Sequence, residues 1–179
     1  MYYLFLAQGF EETEAMAPLD IMRRADIEVY TVGVGAKVIT GAHNIPVVAD
    51  VIDCEVAPDK DCEGIILPGG MPGTLNLEKA ASVQKFIDYC AKNNKLIGAI
   101  CAAPSILGHR GLLDGKNAVC FPGFEEQLGD AKVLKNVKGE EVYPVLYNGT
   151  TYLPVRAVAE ALGASVFWNG DIGLAMLSK

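Results

Sequence analysis

Three short uncharged runs, each ending on a turn of small residues, constrain this chain more than any other feature. Tyr2 to Ala7 stops at Gln8-Gly9, Gly64-Ile65-Ile66-Leu67 runs into Pro68-Gly69-Gly70-Met71-Pro72-Gly73, and Leu96 to Ile100 leads through Cys101 into Ala102-Ala103-Pro104. Apolar runs of this length read as strands buried in a sheet. Between them the period changes. Glu11 to Ala25 reads as helix, with Ala15, Leu19 and Met22 at i, i+4, i+7 and with Pro18 expected to kink or restart it near its first turn. Ile27 to Val32 returns as strand. Gly33 to Asp61 is rich in β-branched residues broken by Gly35, Gly41, Pro46 and Pro58, predicting short strands and turns at a sheet edge and no helix. Lys79 to Asn93 is amphipathic, with Val83, Phe86, Ile87 and Cys90 on its inner face, and Asn117 to Phe121 reads as a further strand. Alternating strands and helices predict an α/β fold with a mostly parallel sheet covered on both faces. Functional groups then gather beyond the carboxyl ends of the strands, in the loops Gly9 to Glu14, Pro68 to Gly73 and Cys101 to Pro104.

Cys101 stands at a strand-to-helix corner. Pro104 suits the first turn of a helix, and Gly98, Ala102 and Ala103 leave space around the sulfur. There the thiol faces the positive end of the helix dipole, which favours thiolate. The residue types allow two readings: a reactive nucleophile, or a small buried hydrophobe. A nucleophile attacking a carbonyl needs a proton-handling group and donors for the oxyanion. The backbone N–H groups of Gly70 and Ala102 are the natural donors. Among Glu11, Glu12 and Glu14, Glu14 lies closest to the apolar helix face and is the one expected to be buried, protonated and able to donate to sulfur. Glu11 and Glu12 read as solvated first-turn carboxylates. His109 falls about two helical turns beyond Cys101, roughly 12 Å along the axis. It and His43, in the edge region, read as structural or surface residues. The glycine turn at Pro68 to Gly73 matches neither G-x-G-x-x-G nor a P-loop.

Composition narrows the partners. At 179 residues the chain suits one well-filled domain, and 51% hydrophobic with 21% charged residues excludes a disordered polymer. The net charge is −7 and the basic residues are scattered, which argues against nucleic acid. Five cysteines without a C-x-x-C or an adjacent histidine indicate neither a disulfide framework nor a zinc site, and a reducing, cytoplasmic setting follows. The apolar start lacks a basic leader and meets Glu11-Glu12 too soon for a signal peptide or membrane span.

The tail has its own pattern. Val142 to Tyr147, Asn148-Gly149 and Thr150 to Leu153 make a hairpin signal, since Asn-Gly supplies both positive-φ residues of a type I′ turn. Pro154 to Leu162 reads as helix with Val155, Val158, Ala159 and Leu162 on one face, and Ser165 to Trp168 as a last short strand. A hairpin and one helix have little core of their own. The expectation is one domain, 1–179, whose atypical segment 136–179 docks on the sheet.

Gly9-Phe10-Glu11-Glu12-Thr13-Glu14, Leu67-Pro68-Gly69-Gly70 and Ala99-Ile100-Cys101-Ala102-Ala103-Pro104, in this order and at these spacings, resemble the ThiJ/PfpI superfamily, and within it the branch of the Parkinsonism-associated deglycase. The resemblance covers residues 2–130. It implies a flavodoxin-like α/β sandwich with a nucleophile elbow, commonly a homodimer. It also implies that Cys101 is the reactive cysteine, Glu14 the acid hydrogen-bonded to it, and Gly70 and Ala102 the backbone donors. The implied activities are glyoxalase III-type conversion of methylglyoxal to lactate without cofactor or metal, protein deglycation, and redox sensing through cysteine sulfinic acid. Ala102 stands where protease-like relatives commonly carry His, which argues against peptide hydrolysis. Two departures accompany the match. Cys120-Phe121-Pro122 lacks the His that some members carry after the strand following the elbow helix. The tail, over residues 142–170, is similar instead to the stalk-like module named after the copper amine oxidase N-terminal domain, yet contains no His or Cys to bind copper.

The resulting expectation is a cysteine-dependent, cofactor-independent enzyme acting on methylglyoxal-type dicarbonyls. The alternative is a non-catalytic redox sensor or chaperone that works through oxidation of Cys101.

Overall fold

The computed structural model describes residues 1–134 in full and, beyond them, the backbones of four short strands. The chain divides into two compact units, Met1–Val133 and Leu134–Lys179.

The first unit is built on five parallel strands: β1 (Tyr2–Leu6), β2 (Val29–Gly33), β5 (Val51–Ile52), β6 (Gly64–Leu67) and β7 (Leu96–Ala99), in spatial order β5-β2-β1-β6-β7. The chain leaves β1 toward β2 on one side and returns through β6 on the other. Strand order therefore reverses beside β1, which sets the loops after β1 and β6 side by side at the carboxyl edge of the sheet. Helices α1 (Glu12–Arg24) and α3 (Ala81–Lys92) cover the sheet. Alternation along β1 divides the core between them. Leu4 and Leu6 pack with Phe10, Ala15, Leu19 and Ile39 toward α1, while Tyr3 and Phe5 meet Phe86 of α3 edge-on at ring separations of 4.9 and 5.1 Å. A strand buried on both faces needs apolar residues at every position, which is why the uncharged runs identified it.

Several elements differ from the sequence expectation. Pro18 sits inside α1 without ending it; the ring removes one N–H, and burial of Ala15 and Leu19 on either side holds the helix together. A separate helix, α2 (Gly73–Lys79), precedes α3, because the chain turns extended at Ala80. The edge region forms β3 (Val38–Thr40) paired with β4 (Pro46–Val48), then β5 and a single 3₁₀ turn, Asp53–Glu55. The elbow helix α4 is only Pro104–Gly108. The strand expected over Asn117 to Phe121 is shorter, β8 (Asn117–Ala118), and pairs with β9 (Lys132–Val133) in a ladder apart from the five-stranded sheet.

In the second unit β10 (Val145–Tyr147) and β11 (Thr150–Tyr152) pair antiparallel, with Tyr147 opposite Thr150, which is the register an Asn148-Gly149 turn requires. β12 (Ser165–Asn169) pairs with β13 (Leu174–Ser178), a strand the sequence pattern did not single out. The helix expected over Pro154 to Leu162 lies outside the described residues.

Candidate active site

The loops that follow β1, β6 and β7 meet at the carboxyl edge of the sheet. Glu11 donates its backbone N–H to the Gly69 carbonyl at 2.9 Å, and Gly73 donates to the Gly9 carbonyl at 3.1 Å, so the first two loops are locked to each other. The third presents Cys101 with φ at +61°. A non-glycine residue rarely adopts this left-handed conformation, and here it turns the chain sharply from β7 toward α4. Two bonds to the flanking backbone hold the corner: Ala103 donates to the Ile100 carbonyl at 3.0 Å, and Phe121 donates to the Cys101 carbonyl at 2.7 Å.

Glu14 rises from the first turns of α1 beneath the sulfur. Its Oε2 accepts the Gly69 N–H at 2.9 Å, and its carboxyl is hydrogen-bonded to the Cys101 thiol. The backbone N–H groups of Ala102 and Gly70 are directed at the same sulfur. Cys101, Glu14, Gly70 and Ala102 are thus brought together from three loops. Gly69 completes the set. A Cβ there would lie 2.7 Å from both Cys101 Cβ and Glu14 Oε2, so only glycine leaves room for the pair. Gly70 has φ at +91°, the conformation that turns its N–H into the site.

Burial raises the Glu14 carboxyl above the ordinary carboxylate range, with the nearby Glu11 charge adding to it; bonds from Cys101 and Gly69 oppose the rise without cancelling it. The Cys101 thiol is pushed up to about 11, first by burial, then by the Glu14 charge and hydrogen bond, against the pull of the Ala102 and Gly70 N–H groups. The helix dipole expected to depress it is weak because α4 has five residues. The Cys101 sulfur is thus held toward its thiol form, with the Glu14 carboxyl placed where a proton can pass between the two.

Glu12 departs from the reading as a solvated carboxylate. It is buried, accepts the His43 backbone N–H at 2.8 Å and the His43 Nδ1 at 2.9 Å, and presses against Gly41. The periodicity of α1 could not reveal that the β3–β4 turn folds over it. Burial alone would raise its carboxyl, but the bonds from His43 and Ile45 outweigh that and hold it low. Ligand atoms of Glu11, Glu12 and His43 lie within 4.8 Å of one another, and His43 Nδ1 is 2.9 Å from Glu12 Oε2. His109 pairs with Glu78 of α2 at 2.6 Å. Neither histidine partners the sulfur. The residue that does stand beside Cys101 is Phe121, half-exposed and bonded through its backbone to the Cys101 carbonyl.

A doubly wound parallel sheet carrying a left-handed cysteine at a strand-to-helix corner, with a half-buried carboxyl against the sulfur, defines the class of nucleophile-elbow α/β proteins. The chain belongs to the DJ-1/PfpI family, whose model matches residues 2–151. Residues 133–179 match a second model, the copper amine oxidase N-terminal domain. Protein DJ-1 homolog B of Arabidopsis thaliana is 35% identical over 125 residues, covering 69% of this chain, which spans 28% of that longer protein. A deglycase of Pyrococcus horikoshii is 32% identical over 136 residues, covering 74% of this chain and 80% of the relative. The structure of oxidized Toxoplasma gondii DJ-1 superposes with a TM-score of 0.74 at 29% identity, covering 90% of this chain and 86% of that one. Among the described residues no helix is long and apolar enough to cross a membrane.

Proposed function

We propose that the chain is a cysteine-dependent, cofactor-independent enzyme of glyoxalase III or deglycase type, acting on methylglyoxal-like dicarbonyls. The observation that carries this reading is the Glu14 carboxyl bonded to the Cys101 sulfur beside two converging backbone N–H groups. Glu14 takes the thiol proton as Cys101 Sγ adds to the aldehyde carbon. The new oxyanion is met by the Gly70 and Ala102 N–H groups and receives the proton back, giving a hemithioacetal. The Glu14 carboxylate then removes the aldehyde-derived C–H proton and returns it to the neighbouring carbon, while the hemithioacetal hydroxyl proton passes to the former ketone oxygen, turning the hemithioacetal into a thioester. Water cleaves the thioester, releasing lactate and the free thiol. One carboxyl serves each transfer in turn, and the sum is dicarbonyl plus water to hydroxy acid.

The reading includes a homodimer in the cytoplasm, in keeping with free cysteines at Cys54, Cys62, Cys90, Cys101 and Cys120. Incubation with methylglyoxal, following substrate loss and lactate formation beside Cys101→Ser, tests the enzyme. Lactate formation that Cys101→Ser abolishes is the expected result. Absence of Cys101-dependent lactate, with clean conversion of Cys101 to sulfinic acid by mild peroxide, would instead establish the sensor.

A further inference from the structure

Cys62 and Cys90 lie in the core, away from the elbow, and the chemistry proposed for Cys101 uses neither. Cys62 closes the turn that feeds β6, its N–H donating to the Asp59 carbonyl at 3.1 Å, and Cys90 lies in the last turns of α3. The return from α3 to β7 draws them together. Lys95 donates to the Cys90 carbonyl at 2.8 Å, and the next residue, Leu96, donates to the carbonyl of Glu63, the neighbour of Cys62, at 3.1 Å. Both side chains are fully buried, and the two thiols are hydrogen-bonded to each other. From this juxtaposition we infer that Cys62 and Cys90 are a second redox centre, a dithiol that a hydroperoxide closes to an intramolecular disulfide, independently of Cys101.

The two sulfurs are not equivalent. The Gly64 N–H is directed at the Cys62 sulfur, a donor to its thiolate that Cys90 does not receive. Cys62 is thus the nucleophile and Cys90 the resolving thiol. Cys62 sulfur attacks one peroxide oxygen; the S–O bond forms, the O–O bond breaks, and the departing oxygen leaves as water with the Cys62 proton. Cys90 sulfur then attacks the sulfenic sulfur, the S–S bond forms, and the sulfenic oxygen leaves as a second water with the Cys90 proton. Two thiols are oxidised and one peroxide is reduced. Cys62 lies between exposed Asp61 and Glu63 in the turn that feeds β6, so the route we assign to peroxide is a local opening of that turn rather than of the sheet.

The test uses the full chain carrying Cys101→Ser, which removes the elbow thiol. After stoichiometric hydrogen peroxide, the protein is denatured in N-ethylmaleimide and mapped by mass spectrometry. The expected product is a Cys62–Cys90 linked peptide, lighter by two hydrogens than the reduced pair and restored by dithiothreitol, with Cys54 and Cys120 still alkylated. Recovery of Cys62 and Cys90 both alkylated, or cross-linking of either to Cys54 or Cys120 instead, overturns the pairing. In Cys90→Ser added to the same background, peroxide should leave a dimedone-reactive sulfenic acid on Cys62; a dimedone adduct absent from Cys62 overturns its role as nucleophile.

Discussion

Gly69 donates its backbone N–H to Glu14 Oε2 at 2.9 Å while leaving the space that the Cys101 side chain occupies. One residue therefore both orients the carboxyl and admits the sulfur. Gly69→Ala places a methyl group 2.7 Å from Cys101 Cβ and from Glu14 Oε2, which separates the pair rather than unfolding the domain. A displacement near 1 Å costs a positioned reaction on the order of 100-fold. Lactate formation should fall by about that factor, with circular dichroism unchanged. Activity kept within twofold would show that the contact does not matter.

Glu14→Gln separates charge from proton transfer. The Cys101 thiol titrates against an ionised Glu14, so removing that charge should bring the thiol down from about 11, leaving burial as the main cause of what elevation persists. Turnover should nevertheless fall by roughly 100- to 10,000-fold, the usual worth of a general acid–base group. Ultraviolet titration of the thiolate reads the first effect and the lactate assay the second. A thiol pKa unchanged or raised in Glu14→Gln would mean that the carboxyl acts on sulfur as a neutral donor alone.

Phe121 is the middle residue of Cys120-Phe121-Pro122, the stretch in which some family members carry a histidine. Its backbone bond to the Cys101 carbonyl is independent of its side chain, and the ring is half-exposed, so replacement should cost the fold little. Phe121→His sets an imidazole at that position, and lactate formation should rise with pH through the histidine range, near about 6.5. A pH profile identical to that of the unaltered protein would place position 121 outside the reaction.

The Glu12 and His43 pair predicts a bounded window of stability. Glu12 is held below its ordinary range, so its contribution is present above the unfolded carboxylate pKa, about 4.3, and is lost as pH falls through the folded value. His43 is raised, first by its bond to Glu12 and then by the Glu11 and Glu12 charges, so its contribution is complete below about 6.5 and is lost as pH rises through the folded value. Melting temperatures across pH should show both limbs, and Glu12→Gln should flatten them together. Loss of only the acid limb in Glu12→Gln would detach His43 from the pair.

These residues also show how far the sequence could be read. β1, β6 and β7 announced themselves because a strand buried on both faces has no polar positions, and the loops after them contained Glu14, Gly70, Cys101 and Ala102. That Gly69, within the quoted motif, is the glycine packed against Glu14 and Cys101 depends on a contact between loops more than fifty positions apart in the chain, which local pattern does not carry. The burial of Glu12 depends on a turn from another strand pair, and helical periodicity carries no trace of it. The thiol was expected to be depressed because the local pattern shows a helix start; its elevation comes from burial and from Glu14, both supplied by the tertiary fold.

The last prediction concerns the segment from Leu134 onward. The DJ-1/PfpI match runs to residue 151 and therefore includes β10 and β11, while the copper amine oxidase N-terminal match begins at 133, so the two families lay claim to the same hairpin. An isolated two-stranded hairpin is marginal in water, and units below about 50 residues usually need disulfides or metal to fold alone. The tail has no cysteine or histidine to supply either. We therefore propose that it folds as part of one cooperative domain with the sheet that carries Cys101. Deleting 136–179 should lower the melting temperature, increase binding of an apolar dye and reduce Cys101-dependent lactate formation. Deleting only 152–179 separates the two family assignments: if β10 completes the DJ-1-like domain, the shorter deletion should be milder than the longer one. A protein lacking 136–179 that melts at an unchanged temperature with full activity would make the tail an appended module.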